Sequence, residues 1–222
     1  MTDPKSAVLF DLDGTLLDTL ADLATSGNEV LVSRGQPPHP VDAYRSFIGD
    51  GMINLVRRIF PPESRPAEGA EADAILQEYR AAYGRHWQDT TAPFPGVAEL
   101  LDALIAAGIP IGVVSNKAHD FTQRCVEAFL PHWPWAVVIG QREGIPPKPD
   151  PTGALEAATR LGVVPEHCYF IGDSDVDMMT AIAAGMHAIG VAWGFRPVTE
   201  LREAGAETIL ESPAGLLGLL GV

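Results

Sequence analysis

Asp11 and Asp13 stand two residues apart at the end of the apolar run Val8-Leu9-Phe10, with Gly14-Thr15 behind them. Alternate side chains of an extended chain point the same way, so both carboxylates lean to one side while Leu12 points back into the protein. Two acids held that close repel each other and lose hydration, and something must compensate. The strand-like run Ile109–Val114 leads into Ser115-Asn116-Lys117, and Tyr169-Phe170-Ile171 leads into Gly172-Asp173-Ser174-Asp175-Val176-Asp177. Pro147-Lys148-Pro149-Asp150 precedes a helix-like stretch. Ligands of open parallel sheets sit at the carboxyl ends of the strands, so acids, hydroxyls and a lysine converge on one edge. This set suits phosphoryl transfer with a hard cation. Asp11, Asp13 and Asp173 offer oxygen ligands, which suits Mg²⁺ with several waters retained. Ser115, neighbouring backbone N–H groups and Lys148 can hold phosphate oxygens. A carboxylate can attack phosphorus to give an acyl-phosphate that water then hydrolyses, and charge neutralisation is most of the remaining task.

The elements that must position these groups can be read from the pattern. Apolar β-rich segments at Val8–Phe10, Ile109–Val114, Ala136–Ile139, Cys168–Ile171 and Ala188–Val191 alternate with helical stretches after residue 109. Continuous rather than alternating hydrophobic strands point to a parallel sheet covered on both faces. Asp150 as N-cap, Pro151 at the first turn and Gly162 past the end predict a helix over Thr152–Leu161. Between the first strand and the rest lies a stretch of helical periodicity: Leu16–Arg34, Ala43–Phe60 and Ala72–Trp87. It is broken by Gln36-Pro37-Pro38-His39-Pro40 and by Pro61–Gly69, and Thr91–Gly96 marks the return. The expected organisation is therefore an α/β core of residues 1–15 and 93–222 with an all-helical insert over residues 16–92. Ser174 and Asp177 also suit the start of a helix, and Asp18 suits a cap or hinge position. The tail Ala214–Val222 suits a terminal helix or packing segment.

The chain has 222 residues, 46% of them hydrophobic, an ordinary value for a globular protein with a well-buried core. Its formal charge of −14 would repel nucleic acid and an anionic membrane surface, so neither is an expected partner. Binding an anion then needs a local positive site. Lys117 and Lys148 are two of only three lysines, and both fall at the candidate edge. Cys125 and Cys168 are expected to be buried free thiols. The start MTDPKSAVLF lacks the apolar stretch of a signal peptide, no run is long enough for a membrane span, and the cytoplasm is the expected location. The six histidines show no metal-ligand spacing.

With Asp11-x-Asp13-Gly-Thr15, Ser115, Lys148 and Gly172-Asp173-Ser174-x-x-Asp177 in order, the chain resembles the haloacid dehalogenase superfamily of phosphatases over nearly its whole length. The resemblance implies a Rossmann-like parallel sheet with helices on both faces and an inserted all-helical cap of the C1 type. It implies that Asp11 is the nucleophile and Asp13 the acid, then base, with Lys148 completing the catalytic set. It also implies that Asp173 ligates Mg²⁺ with Asp11 and the main-chain carbonyl of Asp13, and that Asp177 acts from behind them. Ser115, Asn116 and Thr15 are expected on the substrate side. Within the superfamily the chain resembles the phosphoglycolate phosphatase branch. The residues that carry this are Val114-Ser115-Asn116-Lys117 with Phe121, Ile48-Gly49-Asp50-Gly51 running to Leu55 and Arg58, and Gly190-Val191-Ala192-Trp193-Gly194. Gly49, Gly51 and Arg58 are the cap's candidate substrate contacts, though a plain turn and a surface arginine are the alternatives.

The expected function is a Mg²⁺-dependent phosphatase for a small phosphorylated metabolite, acting as monomer or homodimer. Another small ester, pyrophosphate, or a mutase outcome stands as the alternative. A non-catalytic phospho-switch has no use for an acid two residues after the nucleophile, nor for a helical insert. A phosphonate-cleaving relative needs a cap lysine for a Schiff base, and residues 16–92 contain none.

Overall fold

A computed structural model describes residues 6–222; residues 1–5, which the sequence reading assigns to the core, lie outside the described residues. The chain forms two compact units, one joining the stretch up to Leu17 to Pro93–Val222, the other Asp18–Ala92.

The larger unit begins with β1 (Ala7–Phe10), whose four residues are all buried, as the unbroken apolar run requires of a central strand. The chain passes between the units at β2 (Leu17–Asp18) and β3 (Ala92–Pro93), which pair with each other. The smaller unit contains α1 (Leu20–Ser33), α2 (Met52–Arg58) and α3 (Ala70–His86). After β3 come α4 (Val97–Ala106), β4 (Ile111–Ala118), α5 (His119–Phe129), β5 (Val137–Gln141) and α6 (Thr152–Leu161). Then follow β6 (Cys168–Gly172), α7 (Asp175–Ala184), β7 (His187–Val191), α8 (Val198–Glu203), β8 (Thr208–Leu210) and α9 (Gly215–Leu220).

The six core strands are parallel in the order β5-β4-β1-β6-β7-β8. The α/β fold with a parallel sheet between helices is thus as the strand pattern implied. Ala7 and Leu9 join Val114, Ile139, Phe170 and Ala188 in a cluster closed by Ala154, Ala157 and Ala158 of α6, Met178 and Ala181 of α7 and Leu201 of α8. Small residues on α6 let that helix approach the sheet closely. Val8 and Phe10 alternate to the opposite face, where Phe10 meets the Trp135 ring edge-on. Phe10 is 1% exposed, a burial that contributes about 2–3 kcal/mol. Cys125 and Cys168 are free and buried. Among the described residues, no helix is long and apolar enough to cross a membrane.

Three local expectations need correction. The periodicity over Ala43–Phe60 suggested one helix, but the structure has a 3₁₀ turn at Val41–Ser46 and then α2 from Met52. Gly49 (φ 125°) and Gly51 (φ 87°) adopt a backbone conformation that no continuous helix contains. Helix α6 starts at Thr152 with Pro151 outside it, although Asp150 Oδ1 still accepts from the Thr152 N–H at 2.9 Å as a cap would. The strand expected to end at Val114 runs on through Ser115, Asn116 and Lys117.

Within the smaller unit, Tyr44, Tyr79, Tyr83, Ile59 and Ile75 are fully buried. The Tyr44 hydroxyl donates to Asn28 Oδ1 at 3.0 Å, passing over Gly27, where any side chain would collide with the ring. Asp22 of α1, 1% exposed, accepts from the Thr91 N–H (2.9 Å) and Thr91 hydroxyl (2.7 Å), and from the Thr90 N–H and hydroxyl as well. Asp22→Ala strands the buried Thr91 donors, each costing about 1–3 kcal/mol when unmade. We therefore expect a destabilisation of about 2 kcal/mol or more in urea titration; an unchanged midpoint would show that these bonds add nothing net.

Candidate active site

Adjacent parallel strands β4, β1 and β6 end side by side, which brings Ser115–Lys117, Asp11–Asp13 and Asp173–Asp177 to one edge. Asp11 is 8% exposed, Asp173 3% and Asp177 0%. One carboxylate oxygen from each lies within 4.8 Å of the others. Lys148 Nζ reaches this group, 2.6 Å from Asp177 Oδ1 and 3.0 Å from Asp11 Oδ1. Apart from that ammonium, the buried Asp11 Oδ1 has no hydrogen-bonding partner among the described residues. The Ser115 hydroxyl bonds the same carboxylate.

The environment shifts these groups strongly. Burial, reinforced by Asp177 and Asp13 and opposed by Lys148, pushes the Asp11 carboxyl up to about 6. Burial, with Asp177 and Asp11, raises Asp173 well above the usual carboxylate range, against the pull of the Phe195 N–H. For Lys148 burial acts downward, but the charges of Asp11 and Asp177 outweigh it and hold the ammonium above its ordinary range.

Each acid has its own support. Asp177 belongs to the capping box that opens α7: its Oδ2 accepts from the Ser174 N–H (3.1 Å) and hydroxyl (2.6 Å), while Oδ1 takes Lys148. Both of its oxygens are thus committed within the protein. Asp173 Oδ2 accepts from the Phe195 N–H at 2.7 Å, and the Thr15 hydroxyl points at Oδ1 from 3.4 Å. Trp193 Nε1 donates to the Thr15 carbonyl at 3.0 Å. The loop after β7 therefore braces Asp173 directly and Thr15 from behind. Asp13 is held by Lys117, whose Nζ straddles its two oxygens at 3.0 and 3.1 Å.

These residues fit a hard divalent cation. Around the Asp11–Asp173–Asp177 cluster three carboxylates face one ammonium, a deficit of two positive charges in a buried site made of oxygen donors. The backbone makes room for this set. A Cβ on Gly14 (φ 85°) or on Gly194 would sit on the Asp173 side chain. Gly194→Ala should displace Asp173 and raise the Mg²⁺ concentration giving half-maximal thermal stabilisation by about tenfold. The same midpoint in variant and wild type would mean that the loop yields instead.

The family pattern of the haloacid dehalogenase-like hydrolases matches residues 8–191. The chain belongs to this family. As a haloacid dehalogenase-like hydrolase it is 37% identical to a phosphoglycolate phosphatase of Xylella fastidiosa (strain 9a5c), over 93% of this chain and 89% of that one. It is 34% identical to a phosphoglycolate phosphatase of Nitrosospira multiformis, over 94% and 92% of the two chains. A crystal structure from Lactobacillus delbrueckii subsp. bulgaricus, provisionally named a phosphoglycolate phosphatase, superposes with a TM-score of 0.90 at 32% identity over 98% of each chain. A haloacid dehalogenase family hydrolase from Deinococcus radiodurans, holding phosphate and sodium, superposes with a TM-score of 0.76 at 26% identity, over 98% of this chain and 96% of that one.

The structure brings together Asp11, Asp13, Thr15, Ser115, Asn116, Lys148, Asp173 and Asp177 of the residues singled out by sequence. Thr15, expected on the substrate side, is 1% exposed and turned toward Asp173. Asn116, expected there too, bonds both backbone groups of Lys148. Gly49, Gly51 and Arg58 lie in the smaller unit, where Arg58 pairs with Asp50 between the two glycines. Sequence reading missed the Lys117–Asp13 pair and the Phe195 N–H. The rarity of lysine was the one signal that pointed to Lys117.

Proposed function

We propose that this hydrolase cleaves small phosphate monoesters, with phosphoglycolate as substrate, through a phosphoryl group carried on Asp11. The observation that supports this best is the state of Asp11: a buried carboxylate oxygen with no partner beyond Lys148 among the described residues, in a cluster two positive charges short. An oxygen left open in this way is available to phosphorus. The names of the relatives support the choice of ester, and the Deinococcus radiodurans relative shows phosphate bound in the same fold.

Asp11 attacks the phosphorus atom; the bond to the ester oxygen breaks and the alkoxide takes a proton from Asp13. The resulting acyl-phosphate is then attacked by water, whose proton returns to Asp13, releasing phosphate and restoring Asp11. Lys117 grips both oxygens of Asp13 and keeps its carboxylate at the edge where both steps occur. Lys148 and Ser115 hold phosphate oxygens and offset their charge. Mg²⁺, held by Asp11 and Asp173 with Asp177 behind them, would neutralise the transferring phosphoryl group.

The test is phosphate release, with Mg²⁺, from phosphoglycolate, sugar phosphates, nucleotides and pyrophosphate. Phosphoglycolate should exceed every other compound in kcat/KM by at least about tenfold. Equal or faster release from another compound overturns the choice of ester; no release from any of them overturns the phosphatase reading.

A further inference from the structure

Asn116 occupies an unusual place in β4. Pairing of β4 with β5 is regular through Val114↔Ile139, then shifts and resumes only at Ala118↔Gln141. Over the intervening residues the strand is released from its ladder, and its side chains make the connections instead. The Ser115 hydroxyl goes to Asp11 and the Lys117 ammonium to Asp13, so two alternate residues of β4 answer the two acids that follow β1. Asn116, between them, goes elsewhere. Its Nδ2 donates to the Lys148 carbonyl at 2.9 Å and its Oδ1 accepts the Lys148 N–H at 2.8 Å.

A side-chain amide has the donor and acceptor geometry of a peptide group, so this is a two-point pairing of the kind one strand makes with another. It fixes the position and the direction of a single residue of the loop before α6. The contact is dry: Asn116 is 5% exposed and Lys148 6%. From that anchor the Lys148 ammonium, 5.5 Å from the centre of the Phe170 ring, reaches Asp177 and Asp11. A lysine stem carries about 2 kcal/mol of rotamer freedom, so an ammonium placed between two particular oxygens depends on where its Cα is held.

We propose that Asn116 is the positioning residue for Lys148: its amide clamps the Lys148 backbone and thereby sets the ammonium against Asp11 and the phosphate, rather than touching substrate. This rests on the phosphatase reading for the role of Lys148. The side-chain length is decisive. Asp keeps the acceptor for the N–H and loses the donor to the carbonyl. Gln is one methylene too long and Ser too short to bond both groups.

The experiment is a cycle of Asn116→Ala, Lys148→Ala and the double variant in the full chain, with Asn116→Asp as the half-clamped form. It reads kcat and KM for phosphoglycolate with Mg²⁺ and, separately, the Kd of inorganic phosphate by calorimetry. A displacement of about 1 Å is enough to lower kcat on the order of 100-fold. Asn116→Ala should therefore lower kcat by about 10- to 100-fold with a smaller change in KM, and weaken phosphate binding by about tenfold. Asn116→Asp should fall between Ala and wild type, and it carries the test if the Ala variant does not fold. In the Lys148→Ala background, Asn116→Ala should change phosphate affinity by less than about twofold, because the residue acts through Lys148. An equal loss in both backgrounds overturns the proposal, as does a lowered thermal midpoint with kcat and phosphate affinity preserved. Phosphate binding needs no turnover, so a failure of the phosphatase reading, seen as no release from any ester, is distinguishable from a failure of the clamp.

Discussion

Asp11→Asn should lower turnover by about 10⁴-fold or more while the metal-free protein melts no earlier than wild type. The two halves of this expectation have one cause. On the proposed reading Asp11 is the nucleophile, and it is one that burial makes costly to charge: its carboxyl is pushed up to about 6, against an ordinary value of 3.8. An acid raised on folding contributes stability that is complete below the unfolded value. That contribution is lost as the pH rises from about 4 through about 6. At pH 7.5 without a divalent cation the ionised Asp11 is therefore a cost, and an amide of the same shape does not carry it. The amide is also no nucleophile, so activity goes. In wild type the thermal gain from Mg²⁺ should be larger at pH 7.5 than at pH 5, and it should shrink in the variant. Calorimetric melting at both pH values, with and without Mg²⁺, alongside phosphate release, checks every part. Turnover near the wild-type rate would refute the nucleophile; a clearly lower metal-free midpoint at pH 7.5 would refute the account of its burial.

Lys148→Ala should do the reverse to stability. Asp11 and Asp177 would remain buried with no cation between them, since the other oxygen of Asp177 is spent on Ser174. Removing one partner of a buried ion pair costs about 3–5 kcal/mol, more than the pair itself contributes. In a protein of this size that lowers the melting temperature on the order of 10 °C. Activity should fall on the order of 1,000-fold, because the phosphate loses its fixed counter-charge in a buried site. Lys148→Met separates the causes: it keeps most of the apolar stem and loses the ammonium, with its ion pairs and its position over the Phe170 ring. Losses equal to those of Lys148→Ala would assign the effect to charge. Mg²⁺ should recover part of the stability in both variants, by supplying positive charge to the same oxygens. A melting temperature within about a degree of wild type would show that Lys148 is not what compensates these acids.

Strand β8 and the partners of Asn116 and Lys117 mark where local pattern stops being informative. Three residues, Thr208–Leu210, are too few for periodicity to separate a strand from a loop, and the edge position of β8 comes from the sheet. The break at Gly49 and Gly51 was visible as composition but not as geometry, because glycine is compatible with both outcomes until neighbours decide. The clean helix over Thr152–Leu161 was readable because its punctuation is local.

The sequence by itself determined that the chain would build parallel strands between helices, and that acids, a serine and a lysine would gather where those strands end. Each follows from side-chain period, hydrophobic pattern and turn chemistry, which act over a few residues. Only the tertiary structure decided how those groups are paired: Lys117 with Asp13 across 104 positions, Asn116 with Lys148 across 32, and Asp173 under the Phe195 N–H across 22. Such pairings depend on strand order and register, since setting β1 between β4 and β6 is what carries residues distant in the chain to within hydrogen-bonding distance.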